Sequence, residues 1–264
     1  MTRSLRDLGV RVAWVTGASS GIGEALALEL AAKGVTVAAT ARRADALDAL
    51  ATKAAALGGS ITALPGDVTD AGDMISIARK ISEAHGPIDL AILNAGLFIP
   101  VSADPFDLDA FRRTFEVNLG GTAACLAAVL PAMTARRGGR IVVVSSVTGY
   151  AGLPSSAAYG ASKAGLINLA ESLKFDLDRR GVAIQVANPG FVDTPATAGN
   201  AFAMPALIPP SEAARRIVAG VIRGGFEITF PKRFTYVLKL LRLLPYPAYF
   251  WLVTKATGWD KRED

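Results

Sequence analysis

Tyr159 and Lys163 stand four residues apart, so on a helix they share one face. An ammonium beside a phenol favours the phenolate and lowers a pKa that starts at about 10. Such a phenol is usable as a general acid in one direction and a general base in the other. The bland alternative is a packed tyrosine with a surface lysine one turn on. A second cluster, residues 16–23, reads TGASSGIG. Glycine there lets the backbone turn sharply and lets a pyrophosphate approach the free N–H groups of a helix N-terminus. Gly17, Gly21 and Gly23 depart from the spacing G-x-G-x-x-G, and a ligand-free glycine turn is the alternative.

These residues need elements to hold them. Short β-branched runs at 10–16, 35–40, 61–64, 88–93, 140–145, 182–187 and 227–230 alternate with stretches of helical period. The helices fall at 21–33, 44–57, 71–84, 107–136, 157–180 and 211–223. Alternation of this kind predicts an α/β fold, a single doubly wound domain on a seven-stranded parallel sheet. Gly34, Gly86, Gly138 and Gly181 each follow a helix, where a left-handed C-cap is expected. No linker divides the chain, so residues 1–231 form the domain and 232–264 a helical extension. The stretch 194–210, with Pro195, Pro205, Pro209 and Pro210, breaks the rhythm and reads as a mobile substrate lid.

Composition removes several classes of function. With 264 residues, 51% hydrophobic and 19% charged, the chain can bury a sizeable core. A single cysteine, Cys125, and a single histidine, His85, exclude a disulfide framework and a multi-cysteine or histidine-rich metal site. Cys125 lies in an apolar helix and reads as core, while His85 suits a helix C-terminus. The net charge is +5, of which +3 falls after residue 225, without the basic, aromatic-interleaved stripe of a nucleic-acid binder. The polar opening, 1–9, runs into a strand and predicts no signal peptide and a cytoplasmic location.

Further motifs cluster where ligands bind in open α/β sheets, at strand C-terminal ends. Asn94-Ala95-Gly96 follows the fourth strand, Ser145-Ser146 the fifth and Asn188-Pro189-Gly190 the sixth. Together with TGASSGIG and Tyr159-x-x-x-Lys163, they make residues 10–230 resemble the short-chain dehydrogenase/reductase family. The resemblance implies a Rossmann-type fold and hydride transfer between a nicotinamide and a carbonyl or secondary alcohol carbon. It implies that Tyr159 exchanges the proton and that Lys163 tunes it and binds the nicotinamide ribose. Ser146, thirteen residues before Tyr159, matches the serine that holds the substrate oxygen, with Ser145 facing away. Asn118 matches the asparagine of a water-mediated proton relay; mid-helix asparagine is otherwise mildly unfavourable.

The same resemblance assigns Gly17, Ser19, Ser20, Gly21, Ile22 and Gly23 to the cofactor phosphates. Asp67 and Val68 border the adenine, and Asn94, Ala95 and Gly96 the adenosine side. Pro189, Val192 and Thr194 close the nicotinamide pocket. Asp67 could equally be a turn or cap residue, and Thr194 a turn residue before Pro195. Where an NAD enzyme carries an acid after the second strand, this chain has Ala41, then Arg42 and Arg43. A guanidinium grips a 2′-phosphate, so NADPH/NADP is expected over NAD; solvated surface charge is the alternative for both arginines.

The tail stretch 234–254 is apolar, but Lys239, Arg242, Pro245 and Pro247 interrupt it, so two short helices are expected instead of a span. It reads as a cap over the cleft or an oligomer contact, or as a basic amphipathic anchor on anionic lipid. Phe98, Ile99, Pro100, Tyr150 and Leu153, with Phe191, Phe202, Met204 and Leu207, are the expected walls for a lipophilic ketone or alcohol. Small residues at Gly120, Gly121, Ala123, Ala124, Ala127 and Ala128 suit a twofold helix contact, and the family resemblance implies a homodimer or homotetramer. The alternative function is a catalytically silent nucleotide sensor or scaffold on the same fold.

Overall fold

A computed structural model describes residues 3–198 and 204–261. Seven strands form one parallel sheet in the order β3-β2-β1-β4-β5-β6-β7. They are β1 (Val12–Thr16), β2 (Thr36–Thr40), β3 (Ser60–Ala63), β4 (Leu90–Leu93), β5 (Arg140–Val144), β6 (Ala183–Pro189) and β7 (Glu227–Phe230). β1 and β4 are buried along their whole length and β5 from Ile141 onward, as parallel strands covered on both faces must be. The order of connection reverses between β1 and β4. A crevice therefore opens beyond their C-terminal ends, beside Gly17 and Asn94.

One layer packs α1 (Gly21–Ala32), α2 (Ala44–Lys53) and α7 (Pro210–Arg223) on the sheet through Leu26, Leu30, Leu47 and Ile217. The other holds α3 (Ala71–His85), α4 (Leu108–Phe115), α5 (Gly121–Ala135) and α6 (Ala157–Arg179). Met74, Ile81, Leu126 and Leu166 fill that side. Cys125 is core there, its thiol pushed up to about 12 by burial. His85, at the last turn of α3, meets the Thr62 hydroxyl at 3.0 Å.

The helix expected over 107–136 is interrupted. A π-turn, Glu116–Gly120, separates α4 from α5 and carries Asn118. Its wider turn leaves Asn118 buried, with its amide bonded to the Leu97 backbone instead of its own helix. The whole stretch Leu108–Ala135 is long and apolar enough to cross a membrane, yet Cys125, Leu126, Val129 and Met133 pack it into the domain. Gly34, Gly86 and Gly181 take positive φ as expected, but after α5 the left-handed residue is Arg137, not Gly138. There Gly138 N–H bonds the Met133 carbonyl, and the bend falls one residue early.

The tail forms α8 (Lys232–Leu241) and α9 (Tyr246–Thr257), with Pro245 between them as the N-cap of α9. Of the lid stretch, residues 194–198 form a turn and Ile208 bridges Val192; Phe202 lies outside the described residues.

Candidate active site

The cofactor end starts where β1 stops. Gly17 turns the chain at φ +66°, and a Cβ there would fall 2.8 Å from the Ala95 backbone. A Cβ on Gly23 would stand 2.2 Å from the Gly17 carbonyl, so only glycine lets α1 begin this close to β4. Thr16 and Asn94 lock the two strand ends. The Thr16 hydroxyl accepts from the Asn94 and Ala95 N–H groups at 3.1 Å, and Asn94 Nδ2 donates to the Thr16 carbonyl at 3.0 Å. Ser20 precedes α1 without capping it by its side chain, which leaves first-turn N–H groups for an anion. That cradle fits a pyrophosphate.

Two adjoining cavities of about 180 and 260 Å³ make the cleft, sharing Gly17, Ser20, Gly96 and Leu97. Ser19, Arg42, Arg43, Asp67, Val68 and Ala95 line one half. Gly21, Ile22, Asn94, Pro189, Val192 and Thr194 line the other half with Ser146, Tyr159 and Lys163. Arg43 also ties the loop, donating to the Ser19 carbonyl at 3.0 Å. Asp67 accepts from the Thr69 N–H and hydroxyl at 3.0 and 2.9 Å, and these bonds hold its carboxyl below the usual range. It is thus a turn residue and a cleft residue at once; Asp70 is the helix cap. Arg113, which sequence reasoning missed, joins Arg42 on this wall and pairs with Glu116 at 2.6 Å. It stands on α4, in the turn just before the π-turn, where no local sequence signal marks it.

At the other end both serines line the cleft, against the expectation that Ser145 faces away. Their bonding separates them: Ser145 Oγ donates to the Lys163 carbonyl at 2.7 Å, while Ser146 Oγ accepts from the Thr148 N–H at 3.2 Å. Lys163 is 3% exposed; its Nζ donates to the Val144 carbonyl at 2.9 Å and lies 5.5 Å from the Tyr159 ring centre. Asn118 Nδ2 donates to the Leu97 carbonyl at 3.1 Å and to Ser162 Oγ at 3.0 Å, bracing α6 beside Lys163. Phe98 meets the Tyr159 ring edge-on at 5.2 Å.

The Tyr159 phenol is raised, not lowered as its spacing from the lysine predicts. Burial raises Tyr159, with the Ser146 hydroxyl pulling the other way, and burial lowers Lys163 to about 8. Desolvation penalises both charged forms, and at this separation it outweighs their mutual stabilisation.

Phe98 lines the cleft as expected, while three other expected substrate walls meet different partners. Tyr150 turns away to Glu227 and Thr229, and Ile99 packs with Val101 and Ala158. Phe191 lies against Phe234 of the tail at 5.7 Å.

The family model for short chain dehydrogenase matches residues 11–203. An uncharacterized oxidoreductase of Myxococcus xanthus is 39% identical, covering 93% of this chain and 97% of that one. A dehydrogenase/reductase SDR family protein 7-like of Anopheles gambiae is 30% identical over 96% and 85%. Among solved structures, an alcohol dehydrogenase from Thermococcus sibiricus complexed with 5-hydroxy-NADP superposes with a TM-score of 0.76. It is 26% identical, over 84% of this chain and 96% of its own. A nicotinamide dinucleotide is the cofactor that this fold and cradle imply. The chain belongs to the short-chain dehydrogenase/reductase family, as an oxidoreductase acting on alcohol and carbonyl groups.

Proposed function

We propose an NADPH-dependent carbonyl reductase or alcohol dehydrogenase for a lipophilic substrate, with the proton exchanged at the Tyr159 phenol oxygen. The observation that carries this reading is the convergence of Tyr159, Ser146 and Lys163 with the phosphate-loop glycines on one cleft. When bound, the dinucleotide supplies or accepts the hydride. Gly17, Ser19, Ser20, Gly21, Ile22 and Gly23 would hold its pyrophosphate. Asp67, Val68, Asn94, Ala95 and Gly96 would line its adenosine, and Pro189, Val192 and Thr194 its nicotinamide end.

The chain's own residues do the rest. Ser146 hydrogen-bonds the substrate oxygen as charge develops, and Tyr159 gives that oxygen its proton. Lys163, when protonated, favours the phenolate left behind. Asn118, by bracing Leu97 and Ser162, holds the wall along which a proton relay reaches Lys163. Arg42 and Arg113 on the adenosine wall, with Ala41 in place of an acid, support a 2′-phosphate over a free 2′-hydroxyl.

Assembly and place belong to the same reading. Gly120, Ala123 and Ala127 are exposed along one side of the long helix, and Phe175 on α6 is 78% exposed. They support a twofold contact between copies; Gly121 is spent inward against Val68. A cytoplasmic location completes it.

The test is NADPH oxidation across aliphatic, aromatic, steroidal and long-chain ketones. Turnover of at least one apolar ketone, abolished by Tyr159→Phe, is expected. Silence across the whole panel overturns the reading.

A further inference from the structure

The tail helices α8 and α9 turn one face inward and leave the other bare. Inward, Thr235 is fully buried, Lys239 pairs with Glu227 and Arg242 bonds the Tyr150 carbonyl. The Tyr249 hydroxyl donates to the Gly152 carbonyl at 2.6 Å. These contacts fix how the helices lie on the domain. Outward stand Leu240, Leu243, Tyr246, Phe250 and Trp251, between 59% and 79% exposed. Tyr246 stacks on Phe250 at 5.9 Å, and Leu243 shares a groove with both. Large contiguous apolar surfaces of this kind mark an interaction site.

Charge selects the occupant. Between Pro231 and Trp259 there is no aspartate or glutamate, but there are five basic residues. Lys239 and Arg242 turn inward and Lys255 pairs with Asp260, while Lys232 and Arg233 stand exposed. A second copy docked here by a twofold axis would set this basic patch against itself without an acid to answer it. An anionic bilayer answers it. Tyrosine and tryptophan favour the headgroup level, aliphatic residues the acyl boundary and lysine or arginine the phosphates. With 12 residues, α9 is too short to span, so it must lie in the plane.

We propose that α8 and α9 seat the protein on an anionic lipid surface. Leu240, Leu243, Phe250 and Trp251 enter the boundary, and Lys232 and Arg233 face the head groups. The inference stands apart from the choice of cofactor or substrate.

Cosedimentation of the full chain with phosphatidylcholine vesicles, with and without phosphatidylglycerol, tests it. Binding to the anionic vesicles should be at least about tenfold stronger and should weaken as salt rises. The double variant Leu243→Ser, Trp251→Ser should lose vesicle binding while its melting curve stays unchanged, since both side chains are exposed. Lys232→Glu with Arg233→Glu should erase the preference for anionic lipid. A protein that binds no vesicle overturns the proposal, and so does equal, salt-indifferent binding to both vesicles. Sedimentation equilibrium supplies the remaining outcome. If the serine variant turns a dimer into a monomer without vesicle binding in the parent, the surface belongs to a second copy and the proposal fails.

Discussion

The Tyr150 hydroxyl donates a hydrogen bond to Glu227 Oε1 at 2.5 Å, across 77 residues of chain. The same oxygen accepts from Asn188 Nδ2 at 2.8 Å, and the other carboxylate oxygen holds Lys239 of α8. Tyr150 ends the short turn that Ser146 begins, and Asn188 precedes Pro189. One carboxylate thus ties the serine turn, the β6 end that carries Pro189 and the tail together.

Replacing Glu227 by Gln should loosen all three. Three donors then compete for a weaker acceptor, and a loss of about 1–3 kcal/mol is expected in urea unfolding. The effect has a pH signature. Burial alone would raise the Glu227 carboxyl, but hydrogen bonds from Lys239, Tyr150 and Asn188 hold it below the usual range. A depressed carboxyl contributes stability that is complete above the ordinary glutamate pKa and is lost as pH falls through the folded value. The stability gap between parent and variant should therefore shrink in acid. A gap independent of pH would count against the charge as its source.

Tyr159→Phe should lower kcat by about 10²–10⁴-fold, the usual worth of a positioned proton donor, while cofactor titration by fluorescence stays close to the parent. A variant that keeps its kcat removes Tyr159 from the chemistry.

The Lys163 pKa of about 8 gives a second check. Its charge is present below that value and lost above it, so the reductive kcat/KM should fall as pH rises through about 8. In Lys163→Arg, whose guanidinium stays charged, that limb should vanish from whatever activity remains. Persistence of the limb would assign it to another group.

Arg42→Ala should weaken NADPH by about 10–100-fold, the worth of a charge-assisted hydrogen bond, and leave NADH nearly unchanged. Isothermal titration of both dinucleotides decides it; equal losses would place the 2′-phosphate elsewhere.

Thr16→Val keeps the shape of the side chain but orphans the Asn94 and Ala95 N–H groups that its hydroxyl satisfies. An unfolding free energy lower by about 1–3 kcal/mol is expected, with weaker dinucleotide binding. Thermal melts at matched pH would reveal the first effect and titration the second.

By itself the sequence determined what depends on local pattern. Alternating strand and helix periods specify the parallel sheet, because each period dictates which face an element must bury. Glycines at Gly17 and Gly23 announce the tight turn, since no side chain fits there. The four-residue spacing of Tyr159 and Lys163 already put them on one helix face. Tertiary structure decided what depends on distant neighbours. The π-turn at Asn118 exists because Leu97, 21 residues away, offers its backbone to the amide. The Glu227 clamp has no local signal, as its partners come from β6, the serine turn and α8. Arg113 lines the cleft from α4, a placement set by how that helix packs on the domain. The direction of the Tyr159 shift likewise followed from burial, which composition and spacing do not encode.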